Sequence, residues 1–189
     1  MVLPFFRIPG PQSEQKVLQL IRDRVHSVTS VQTEACFNVD CTSGSLTDEE
    51  KSKLLWLFTE TFEPEFTRDT TFLAVKAGQE SCSAIVEVGP RMAFSTAWSS
   101  NCVSMCQACG ISNVNHIERS RRYLISTSGP SVPLTKEDIV AFAALVHDRM
   151  TEYVYTAPLK SFESGSVPES VKIIPLLTGK CTHLPYYLQ

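Results

Sequence analysis

The sequence predicts an α+β fold: two similar strand–helix–strand–helix lobes forming a mainly antiparallel sheet layered with helices. Three observations predict it. Two long runs rich in strand-forming residues, Val28–Thr42 (VTSVQTEACFNVDCT) and Val114–Ser128 (VNHIERSRRYLISTS), divide the chain. A threonine opens an apolar helical run after each, Thr47 and Thr135. The order strand, helix, long strand, helix then occurs twice. The halves share no residue-level identity, so the repeat is one of pattern. It suggests two lobes about a pseudo-twofold axis, as in a fused dimer, with helices on one face of the sheet.

Val2–Ile8 is a short apolar run that reads as a first strand, closed by Pro9-Gly10-Pro11. Ser13 is placed to cap a helix whose buried stripe is Val17, Leu18, Leu20, Ile21 and Val25, with Arg22 and Arg24 outside. The first long strand ends at the turn Ser43-Gly44-Ser45. Thr47 to Glu50 is a capping box, each side chain satisfying the other's amide. Leu54, Leu55, Trp56, Leu57, Phe58 and Phe62 follow on a largely buried helix that Pro64 ends. Thr71–Val75 and Ser83–Val88 read as short strands.

Glu87–Gly110 (EVGPRMAFSTAWSSNCVSMCQACG) organises the middle of the chain. A strand ends, Gly89-Pro90 turns, and an extended run reaches Trp98. A helix then spans about Ser99 to Cys109, capped by Ser99 and Ser100 and stopped by Gly110. Cys102, Val103, Cys106 and Cys109 share one helical face. The run Ser95–Ser100 lies at a helix N-terminus, where an anion is favoured; a bound anion and plain capping of a packed helix are both open. Thr135 to Asp138 starts the last helix, with Ile139, Val140, Phe142, Ala143, Val146 and Met150 as its stripe, reaching about Glu152. From Ala157 no helical or alternating stripe can be drawn, and prolines 158, 168 and 175 mark a linker.

At 189 residues the chain is long enough for one well-buried domain, and 43% hydrophobic with 20% charged residues is ordinary for a globular protein. A net charge of -3 argues against a nucleic-acid binder. No apolar run nears the roughly 20 residues that span a bilayer, and Met1–Pro9 is too short for a secretory signal, so a cytoplasmic protein away from membranes is expected. The seven cysteines are an odd number and read as free thiols in a reducing compartment. Cys106-Gln-Ala-Cys109 matches C-x-x-C, but it lies near the C-terminal end of its helix, where the dipole opposes a thiolate. His116, the nearest further ligand, has no partner after it, so no metal or redox site is expected.

No phosphate-binding loop, dinucleotide fingerprint or nucleophile elbow is present. His147-Asp148 reads as the polar edge of the last helix, since adjacent helical residues do not face one another. The arginines are the less ordinary cluster. Arg119 and Arg121 share one face of the second long strand, Arg122 takes the other, and Arg91 lies in the central loop. They suit either a bound carboxylate or phosphate or, the reading preferred here, pairing with acids.

Val31–Asp40 (VQTEACFNVD), Glu87–Gly110, Ile117–Ile125 (IERSRRYLI) and Leu145–Glu152 (LVHDRMTE) together closely resemble the N-terminal domain of the large, multidomain phosphoribosylformylglycinamidine synthases, in the same order from about Val28 to Lys180. The resemblance implies a scaffold domain similar to a fused dimer of the small PurS-type subunit. The parent enzymes, also called FGAM synthetase or FGAR amidotransferase, use ATP and glutamine in the fourth step of de novo purine synthesis. The implied layout is 1–156 as the PurS-like domain, 157–180 as the start of an interdomain linker, and 181–189 as a divergent tail.

Catalytic residues, ATP and Mg belong by that resemblance to the synthetase and glutaminase domains, which are the implied partners. No cofactor and no catalytic residue is carried over to this chain. Because the likeness stops after Lys180, a truncated, inactive form is expected, with self-association through the surface that would meet the synthetase. The competing reading is a stand-alone interaction module binding a complete synthase. Ser95, Trp98, Ser99, Ser100 and Arg119 fall in the best-matching blocks and are the candidates for contact with the synthetase site or the ammonia route.

Overall fold

A computed structural model describes residues 1–9, 12–59, 64–75, 77–79, 81–129, 131–163 and 170. The expected Phe62 contact, the apolar run 171–177 and the tail 181–189 lie outside the described residues, as does Cys181.

The elements are β1 (Val2–Arg7), α1 (Gln12–Ile21), β2 (Ser30–Cys41), α2 (Asp48–Phe58), a 3₁₀ turn (Pro64–Phe66), β3 (Thr67–Arg68), β4 (Ser83–Pro90), α3 (Ala97–Ala108), β5 (Val114–Ser126), α4 (Lys136–Val146) and β6 (Glu152–Tyr155). They form an α+β fold with one six-stranded sheet in the order β3-β1-β2-β5-β4-β6. Every pairing is antiparallel. The first half supplies β3-β1-β2 and the second β5-β4-β6, so the two long strands meet at the centre, with Cys36 opposite Ser120.

Side chains alternate along a strand, and this decides what each face does. Val31, Phe37 and Val39 of β2 and Ile117, Tyr123 and Ile125 of β5 all point to the helices. Two cores result. Leu54 and Phe58 of α2 and Cys102 and Cys106 of α3 pack with Phe5, Phe37, Val39 and Ile117. Ile21 of α1 and Phe142 and Val146 of α4 pack with Val31, Val86, Val88, Tyr123 and Ile125. Each core therefore takes one helix from each half. The other face carries a buried polar row instead: Glu34, Cys36 and Asn38 on β2, Glu118, Ser120 and Arg122 on β5.

Local signals account for most boundaries. Thr47 and Glu50 form the expected reciprocal box, and Thr135 with Asp138 forms a second. Gly110 adopts φ 78°, the left-handed conformation that ends α3.

Several elements differ from expectation. Ser13 is inside α1 rather than capping it, and its hydroxyl meets Thr33 Oγ1 at 3.1 Å. Residues 71–75 form no strand; Thr71 and Phe72 are held by the Glu34 carboxylate instead, and the edge strand is Thr67–Arg68. Gly89 and Pro90 are not a turn but the end of β4, paired with Tyr153 and Glu152. α4 stops at Val146, six residues early. Asp148 accepts from the Met150 amide at 2.8 Å and the Thr151 hydroxyl at 3.0 Å, a local turn that competes with the helix and lets β6 form. Of the expected core stripes, Leu20, Trp56, Val140 and Met150 are exposed, at 52%, 58%, 68% and 85%.

Candidate interdomain surface

Thr96, not Ser99 or Ser100, caps α3: its hydroxyl accepts from the Ser99 amide at 3.0 Å. Ser99 is buried at the third helical position, and its own hydroxyl has no hydrogen-bond partner among the described residues. Ser100 is exposed and turns its hydroxyl back to the Thr96 carbonyl at 3.4 Å.

The anion that this helix N-terminus favours comes from within the chain. Glu118 of β5 takes the Thr96 amide on Oε1 at 2.9 Å and the Thr96 hydroxyl on Oε2 at 2.8 Å. His116 Nε2 lies 3.1 Å from Glu118 Oε1, and Ser95 Oγ lies 3.5 Å from the same nitrogen. Phe162, from the segment after β6, stacks on the His116 ring at 4.2 Å and 7°. Burial pushes the Glu118 carboxyl up, but the hydrogen bonds from His116 and Thr96 outweigh it and hold the group below its ordinary value of 4.5.

The arginines divide by face as the alternation requires. Arg122 pairs with Glu34 and, at 3.3 Å, with Glu87 on the polar face. Arg121 binds Glu152 at 2.6 Å and the Val146 carbonyl at 3.1 Å. Arg91 donates to the Arg149 carbonyl. Arg119 is exposed and has no ion-pair partner among the described residues; its guanidinium lies 5.6 Å from the Trp98 ring centroid.

Trp98 and Arg119 are thus the two candidates the fold brings together. They line a recess of about 200 Å³ between α2 and α3, with Phe37 and Phe58 at its base and Leu57 and Met105 beside them. Phe37 stacks on Phe58 at 4.3 Å and on Trp98 at 5.9 Å. Ser95 is drawn away to His116, and Ser99 is enclosed.

Of the C-x-x-C pair, Cys106 is buried and Cys109 is exposed. The Cys106 thiol is fully buried, and its hydrogen bond with the Cys102 thiol together with burial pushes it well above the ordinary thiol range. Among the described residues no group of three His, Cys, Asp or Glu side chains could hold a metal ion, and no helix is long and apolar enough to cross a membrane. His147 is the residue after α4 and bonds its Nδ1 to the Ala143 carbonyl, not to Asp148. Sequence reasoning missed Glu34 and Glu118. Their signal was an acid on the same strand face as Cys36, Asn38 and Ser120, in strands too central to be wetted.

A family model described as formylglycinamide ribonucleotide amidotransferase N-terminal matches residues 34–162. The chain belongs to this family. A probable phosphoribosylformylglycinamidine synthase of Arabidopsis thaliana, named as chloroplastic/mitochondrial, is 44% identical over 179 residues, 93% of this chain and 12% of the relative. The Dictyostelium discoideum phosphoribosylformylglycinamidine synthase is 41% identical over 178 residues, 92% of this chain and 13% of its own length. The Homo sapiens enzyme is 37% identical over 151 residues, 79% of this chain and 11% of its own length. The chain therefore spans about one eighth of each. The stretch matched to the formylglycinamide ribonucleotide amidotransferase N-terminal family runs from Glu34 to Phe162, so it includes Glu34, Glu87 and Glu118 of the polar face.

In this N-terminal domain Glu118 ties α3 to β5, and its removal is readily measured. Glu118→Gln is expected to cost about 1–2 kcal/mol at pH 7, since a charge-assisted bond to the half-buried N-cap Thr96 is lost. A carboxyl held below its ordinary value gives stability that is present above that value and is lost as pH falls through the folded-state value. The gap between wild type and variant should therefore narrow below about pH 4.5. Urea midpoints at pH 7 and pH 3 test this; a gap independent of pH would rule it out.

Proposed function

We propose that the chain is the supporting N-terminal domain of a phosphoribosylformylglycinamidine synthase and makes or breaks no bond itself. The parent reaction, an ATP- and glutamine-dependent ligation in purine synthesis, belongs to the synthetase and glutaminase domains against which this one packs. ATP and Mg bind there. The observation that carries the reading is the family match across residues 34–162 on a chain covering 12% of the Arabidopsis relative.

The site chemistry agrees with it. The helix N-terminus suited to a phosphate is filled by Glu118, three of the four clustered arginines are bonded inside the fold, and the one unbonded arginine faces outward beside apolar side chains. The strand order, three strands from each half meeting at β2 and β5, supports the fused-dimer likeness to PurS-type subunits. A cytoplasmic site of action fits a chain whose described cysteines are free thiols, five of them buried and Cys109 exposed.

Replacement in the relative tests the proposal. The 179 residues matched in the Arabidopsis protein are exchanged for this chain. The chimera is expected to convert formylglycinamide ribonucleotide with ATP and glutamine, the deletion to lose that activity, and the chain alone to show none with ATP and ammonia. Turnover by the chain alone would overturn the proposal.

A further inference from the structure

We infer that the recess between α2 and α3 is the anchor point for one segment of the longer polypeptide, presenting a large apolar side chain with an Asp or Glu beside it. The inference rests on the reading that this chain works inside a longer synthase, and it names the contact through which it does so.

Three features of the surface select this occupant. The recess is apolar where it is deep: Phe37 and Phe58 are buried, and Leu57 and Trp98 are half-buried above them. About 200 Å³ gives room for a single large side chain rather than a nucleotide or a helix. The mouth carries one unneutralised charge. Arg119 sits on a central strand, on the face that helices cover, and yet is exposed and makes no ion pair among the described residues. A strand register that places Arg119 directly opposite Phe37 fixes the cation against the apolar floor. Aromatic side chains and arginine around a desolvated pocket are the residues that dominate binding energy at protein interfaces, and a cation at the rim selects an acidic neighbour. Met105, 53% exposed on α3, extends the apolar surface outward. The partner's source follows from size: the matched relatives are about eight times longer than this chain, so most of each lies outside the region compared.

Methionine footprinting in the Arabidopsis chimera tests it. Met105 reports on the recess, and Met150, 85% exposed at the turn before β6, reports on a surface outside it. Oxidation of Met105 by dilute peroxide is expected to be about tenfold slower in the chimera than in the isolated chain, because a packed interface excludes water and solutes. Arg119→Glu in the chimera should return Met105 to the isolated-chain rate, while Arg119→Lys should keep most of the protection. The thermal midpoint of the isolated chain should be unmoved by either change, since Arg119 is exposed. An active chimera with protection at Met150 but none at Met105 would refute this anchor and leave the domain reading standing. An inactive chimera with protection at neither would remove both. Slow oxidation of Met105 in the isolated chain, with a dimer in sedimentation, would assign the recess to a second copy and overturn the inference. Protection that survives Arg119→Glu would also overturn it, because the acid would then play no part.

Discussion

Arg122→Met is expected to destabilise the fold by about 3–5 kcal/mol, the largest effect of any single polar change, because it leaves two carboxylates in the interior without their cation. The Glu34 side chain is 0% exposed and that of Glu87 13%, and Arg122 lies between them at 15%. Glu34 has further partners in the Thr71 hydroxyl at 2.7 Å and the Phe72 amide at 2.7 Å, and Glu87 accepts from Ser120 at 2.6 Å. Those neutral donors remain in the variant and do not neutralise the charge. Burial already pushes the Glu87 carboxyl above its ordinary 4.5, against the pull of Ser120 and Arg122. Without Arg122 it rises further.

The sign of the pH dependence follows. A group raised on folding stabilises fully below its unfolded value, and that contribution is lost as pH climbs through the folded value. The penalty of Arg122→Met should therefore grow from pH 4 to pH 8. Adding Glu34→Gln and Glu87→Gln should restore most of the loss, since a neutral cluster no longer buries charge. Equilibrium urea unfolding at the two pH values checks all of this. A triple variant no better than the single one would show that packing of Arg122 on the Phe6 ring, 5.1 Å away, matters more than its charge.

What the sequence made legible was local. Thr47 and Glu50 lie within one turn of each other, so their box is written in four residues. Val and Thr runs marked β2 and β5 to within two residues at each end, and Gly110 marked the end of α3 because only glycine reaches φ 78° without strain. The doubled order of elements was also readable. β6 was not, because Val146 and Met150 continue the helical spacing of α4, and the Asp148 side chain's hold on the Met150 amide and the Thr151 hydroxyl interrupts it.

The candidate site was half legible for the same reason. Trp98 and Arg119 stand out as chemistry, but their meeting depends on the β2–β5 register, which sets Phe37 across from Arg119 over 82 positions of sequence. Ser99 and Ser100 looked like caps because any hydroxyl near a helix start does. Thr96 has the position because Glu118, 22 residues on, holds both its amide and its hydroxyl.

Gly89→Ala is the second large effect, expected at about 3 kcal/mol through overpacking at a site with no room to relax. Gly-Pro reads as a turn, yet here the glycine is a strand residue chosen for space, not for its dihedral freedom. A Cβ at position 89 would lie 2.5 Å from the Tyr155 hydroxyl oxygen, 2.7 Å from Cζ and 2.9 Å from Ser120 Cβ. Ser120 is fixed in the central strand. Tyr155 is buried, its hydroxyl donates to the Pro90 carbonyl at 3.0 Å, and its ring packs 4.9 Å from Tyr153. Moving the ring breaks that bond and loosens β6. Tyr155→Ala alone should cost about 3–5 kcal/mol by leaving a cavity. In the double variant the new methyl occupies part of that cavity, so the two losses should sum to clearly more than the measured total. Gly89→Ala with Tyr155→Phe should recover little, because the clash with Cζ stays when the hydroxyl goes. Denaturation of the four proteins decides it: additive losses would mean that Tyr155 does not stand over Gly89, and the pairing of β6 with β4 would have to be redrawn.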